Sequence, residues 1–106
     1  MKNQYPNEKF SRAVNDLATS SKPIQERICD AYICNLIHVK VSDLPESIRF
    51  EFEEFCSKLT SIDPKGDEGR VAATTSHMST NEAIEIAQKI VFMADVVRSE
   101  LEHNYA

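Results

Sequence analysis

Few side chains in this sequence stand at spacings that support chemistry, and each such group has a structural account beside it. Glu100-Leu101-Glu102-His103 holds a Glu-x-x-His pair, which sets two metal ligands on one helical face. A dinuclear carboxylate site of that kind needs a second Glu-x-x-His and two more inward glutamates. No second copy exists, and His103 stands three residues from the end, where a helix frays. Solvated helix-end charges account for the motif better. Neither a metal nor any other cofactor is expected.

The thiols are Cys29, Cys34 and Cys56. Cys29 and Cys34 are five apart, so on a helix they diverge, and neither is flanked by the His or Lys that activates a thiol. Cys56 falls on an apolar stripe. An odd number of cysteines without a CxxC spacing points to reduced thiols in a cytoplasm. His38 follows an apolar run and suits the cationic end of a helix. Ser, His and Asp are all present, but no motif fixes them as a nucleophile with its base.

Arg70, His77 and Ser79 form the one grouping with a ligand-binding rationale. With the hydroxyls of Thr74 to Thr80 they approach the free amides of a helix start, a natural seat for phosphate or carboxylate. The competing account is that Ser79-Thr80-Asn81-Glu82 is a capping box, and this pattern favours the cap. Glycine spacing here matches neither phosphate-loop nor dinucleotide-loop patterns. Two aromatic residues carry a different signal. Phe50 lies opposite the apolar stripe of its helix among Glu46, Glu53, Glu54 and Ser57; Phe92 lies opposite its own stripe among Glu85, Gln88, Asp95 and Ser99. Single exposed apolar residues are ordinary. Two on otherwise polar faces suggest an interface, where aromatic anchors are typical.

Four periodic segments position these groups. The first, about 7–18, has Asn7 as its expected N-cap and a stripe at Phe10, Ala13, Val14, Leu17 and Ala18. The second, about 23–39, opens on Pro23 and becomes apolar nearly all round, which marks a helix covered on several sides. Asn35 shares its inward face and is expected to be buried and hydrogen-bonded. The third, about 44–60, opens Asp43-Leu44-Pro45-Glu46, with Asp43 suited to cap it, and carries Ile48, Phe52, Phe55, Cys56 and Leu59. The fourth, about 80–103, repeats Ala83, Ala87, Ile90, Ala94, Val97 and Leu101 at alternating spacings of four and three. Residues 60–78 between them hold both glycines and a Pro-Lys-Gly turn, and read as a long loop with its mobile part from Gly66 to Ser76.

Composition agrees with a single helical domain. At 106 residues, 42% hydrophobic and 27% charged, the chain can bury one core without metal or disulfide help. Seventeen acidic against twelve basic residues give a formal charge of −5 with no Lys/Arg cluster, so direct nucleic-acid binding is not expected. No apolar run reaches the roughly 18 residues of a membrane span. The expected architecture is all-α, a four-helix bundle or close relative with a long loop between helices three and four. The expected function is that of a non-enzymatic interaction protein, a homodimer or small adaptor using Phe50 and Phe92. The alternative is a small-ligand or anion-binding domain, conceivably an enzyme, at Arg70, His77 and Ser79.

Overall fold

The computed structural model describes residues 4–105, with side chains through Leu101. Its described residues form five α-helices and two single 3-10 turns, without a strand, so the all-α class holds. Helix α1, Gln4–Thr19, starts before Asn7, which is therefore a helical residue and not the N-cap. Pro6 lies in the first turn described, where a missing donor is tolerated. Phe10, Ala13 and Leu17 are buried and Val14 packs beside them, while Ala18 is exposed.

Helix α2, Ile24–Cys34, follows Pro23 and stops earlier than its apolar pattern suggests. The break is at Asn35, whose buried side-chain nitrogen donates to Asp16 Oδ2 at 2.8 Å and to the Ala31 carbonyl at 3.2 Å. An amide that bonds the preceding turn competes with the helical backbone. Leu36–His38 then form a 3-10 turn that carries Leu36, and Val39 after it, into the core. The expected burial of Asn35 is thus observed, and it is also where the helix ends.

A second 3-10 turn, Val41–Asp43, precedes α3, Glu46–Leu59. Asp43 belongs to that turn and does not cap α3; Pro45 takes the N-cap position without a side-chain bond. Arg49 Nε ties the entry by donating to the Leu44 carbonyl at 2.8 Å. Phe52 packs edge-on to Phe10 at 5.9 Å and stacks with Phe55 at 6.0 Å, which joins α3 to α1.

The connection read as loop is partly helical. Gly69–Ser76 form α4, entered through Gly69 at φ 83, a conformation that glycine adopts without steric cost. Its inner face is Val71, Ala73, Thr74 and Thr75. Two threonines in an inner face hide the usual apolar period. Both hydroxyls are satisfied locally, Thr74 Oγ1 donating to the Arg70 carbonyl at 2.7 Å and accepting from Ile62 N at 3.1 Å, and Thr75 Oγ1 donating to the Ala72 carbonyl at 3.4 Å.

Helix α5, Thr80–Tyr105, is 26 residues long. Its inward residues are Ala83, Ile86, Ile90, Met93 and Val97, all fully buried. The expected seam placed Ala87 and Ala94 inside; they flank it instead, because the larger Ile86 and Met93 gain more by burial than alanine does. Leu17 and Ala18 share a groove with Thr80 and Ile84, whereas Ser11 shares one with Ala94 and Arg98. Helices α1 and α5 therefore run antiparallel, and theirs is the most extensive helix contact. Helix α2 touches α1, α4 and α5, but its apolar second half is not covered on several sides: Ala31, Tyr32 and Leu36 turn inward, while Ile33, Cys34 and Ile37 stand exposed.

Candidate functional site

Arg70, His77 and Ser79 are each engaged by the local chain. Arg70, in the first turn of α4, pairs with Asp63 at 2.6 Å, and both side chains are exposed. His77 follows the last turn, its Nδ1 donating to the Ala73 carbonyl at 2.7 Å, with Ser76 Oγ at 3.4 Å. Seven steps along α4 and its C-cap take Arg70 to His77, about 10 Å of rise. Ser79 forms the capping box: its Oγ accepts from Glu82 N at 3.1 Å, and its own N–H donates to Glu82 Oε1 at 3.2 Å. Hydrogen bonds from the Ser79 backbone and hydroxyl hold the Glu82 carboxyl below its usual range. The start of α5 is thus occupied by a carboxylate of the same chain. Glu68 acts alike in the preceding turn, accepting from Lys65 N at 3.2 Å and Gly66 N at 2.8 Å.

Burial pushes the Cys29 and Cys56 thiols up, only partly offset by the neighbouring Thr75 and Tyr32 hydroxyls. Burial raises the Tyr32 hydroxyl as well. Cys34 is exposed. Among the described residues no three His, Cys, Asp or Glu side chains are placed to hold a metal ion. The side chain of His103 lies outside those described.

What the surface does display is apolar. Phe50 is 72% exposed and Phe92 50%, as their helical positions imply. Helix α5 adds Ile84 and Val91, at 43% and 44%, on the side nearest α1. They form one wall of an open groove of about 590 Å³, with Val14, Ala18 and Ile24 opposite. Arg27 closes one end, its guanidinium donating to the Leu17 carbonyl at 2.9 Å and the Lys22 carbonyl at 2.8 Å. Beyond Val14 and Val91 a second hollow follows the same seam to Asp95 and Arg98, which pair at 3.2 Å. The sequence alone does not distinguish Ile84 and Val91 from singly exposed apolar residues. Their spacing of seven residues, offset from the core stripe, was the signal available.

No described helix is long and apolar enough to cross a membrane. Comparison with family models, curated proteins and solved structures finds no match.

Proposed function

We propose that this chain is a non-enzymatic protein-interaction domain that self-associates through α5 and its groove with α1, in a cytoplasmic setting where its three thiols stay reduced. The observation that carries this reading is that α5 shows apolar side chains beyond its inward face: Ile84 and Val91 in the groove with α1, and Phe92 further round the helix beside Asp95, Val96, Ser99 and Glu100. Its inward face is complete without Ile84, Val91 and Phe92, yet all three stand substantially exposed. A helix of a monomer needs one apolar face. Interface centres are depleted of charge, and the charges along this groove are few and locally bonded: Arg27 to carbonyls, Asp95 with Arg98. The anion-binding alternative at Arg70, His77 and Ser79 would compete with the Glu82 carboxylate for the Ser79 amide and with Ser79 Oγ for the Glu82 amide, and is not preferred.

Light scattering at tens of micromolar tests the reading, with a dimer as the expected mass. Covering one phenylalanine ring contributes about 2 kcal/mol, and an isologous contact counts it twice. Phe92→Asp and Val91→Asp should each lower the mass while circular dichroism shows unchanged helicity. A monomeric parent at these concentrations rules out the self-associating form.

A further inference from the structure

We propose that the outer face of α3 docks a cationic segment of a partner protein, with Phe50 as the anchor and Glu46, Glu53 and Glu54 as its charged surround. This rests on the reading of the chain as a protein-interaction domain, but not on self-association at α5. Phe50, at 72%, is the most exposed large apolar side chain among the described residues. The core face of α3 is complete without it, through Ile48, Phe52, Phe55 and Leu59. On a helix the neighbours of a residue stand three and four places away. For Phe50 these include Glu46, Glu53 and Glu54, all exposed.

No ion pair among the described residues holds these glutamates, and Lys58, one turn beyond Glu54 on the same helix, is not bonded to it. Glu8, Asp30, Asp63 and Asp95 each pair with a cation, whereas none of the three glutamates around Phe50 is in an ion pair among the described residues. The adjacent Arg49 is turned back, donating to the Leu44 and Ser42 carbonyls at 2.8 and 3.3 Å.

That pattern selects the occupant. A second copy docked face to face on Phe50 would bring like carboxylates together, which costs binding energy. Nucleic acid and anionic membranes are repelled for the same reason. A segment bearing Arg and Leu satisfies both parts. A guanidinium can lie over the ring while reaching the carboxylates, and the aliphatic side chains cover the ring edge.

The probe is a synthetic helical peptide of Arg and Leu, titrated into the full chain with amide shifts followed by NMR; the control peptide has Glu in place of Arg. The structure calls for shifts centred on Phe50, Glu53 and Glu54, and none with the control. Phe50→Ser should weaken binding about tenfold, as loss of an interface anchor does. Glu53→Lys with Glu54→Lys should lower the association rate and its salt dependence. Phe92→Asp should leave the peptide affinity unchanged. Absence of binding, shifts centred on the α1–α5 groove, or binding indifferent to Phe50→Ser would each overturn the proposal. Mass measured in the same samples separates the two readings: a monomer that binds through Phe50 retains this one and rejects the dimer, and a dimer that ignores the peptide does the reverse.

Discussion

Asn35 shows how one side chain ends a helix that its neighbours would continue. Its amide nitrogen serves both Asp16 and the Ala31 carbonyl from a buried position. Asn35→Ala should lower stability by about 1–2 kcal/mol through the lost bonds, visible as a reduced urea midpoint; an unchanged midpoint would mean that the two bonds contribute nothing net. Glu82 and Glu68 make a prediction in pH. Hydrogen bonds hold both carboxyls below the usual 4.5, so their contribution to stability is present above that value and fades as pH falls through the lower folded-state values. Denaturation profiles below pH 4.5 should therefore be flatter for Glu82→Gln than for the parent; identical profiles would remove the cap from the account. The cysteines divide by exposure. Brief alkylation at pH 8 should label Cys34 first, since Cys29 and Cys56 are partly covered and their thiols are pushed up by burial. Mass spectrometry that found Cys56 labelled first would contradict that order.

Among the elements, α4 makes the sharpest demand on its sequence. Its entry at Gly69 has φ 83, which an L side chain adopts only with strain, although a Cβ there would meet no atom within 4 Å. Gly69→Ala should therefore cost about 1–2 kcal/mol purely through backbone strain, and a parent-like denaturation midpoint would refute this. Hydrogen exchange should show protection across residues 73–75, whose amides can bond within α4. The contrast between α4 and α5 explains what could be read in advance. Long helices repeat their apolar residues often enough to be recognised, and α1, α3 and α5 were legible for that reason. Two turns supply too few repeats, and the threonines at positions 74 and 75 look like loop until each hydroxyl has found a carbonyl. The outward position of Phe50 and Phe92 was legible from helical geometry alone. The groove beside Ile84 was not, because a groove belongs to two helices, and no local pattern says that α1 would lie against α5.

At the scale of the molecule, two exposed surfaces differ in character, apart from the exposed Tyr5, Ile33 and Ile37 elsewhere. The α1–α5 seam is apolar with its few charges tied up, whereas the outer face of α3 sets one aromatic ring among unpaired carboxylates. Self-association at the first should therefore be nearly indifferent to salt, and peptide docking at the second strongly dependent on it. Measuring both affinities at 50 and 500 mM salt, roughly a threefold change in Debye length, checks the distinction. Equal salt responses would show that charge does not separate the two faces. The antiparallel pairing of α1 with α5 also orders events in time. The apolar stripe at Phe10, Ala13 and Leu17 meets α2 and Phe52, but the most extensive contact of α1 is with α5, whose Ile86, Ile90 and Met93 are synthesised some seventy positions later. At about 5–20 residues per second that is a wait of roughly 4–14 s. During it a nascent chain reaching only as far as α4 lacks the helix that makes the most extensive contact with α1, so the apolar stripe of α1 stays partly uncovered until α5 is made.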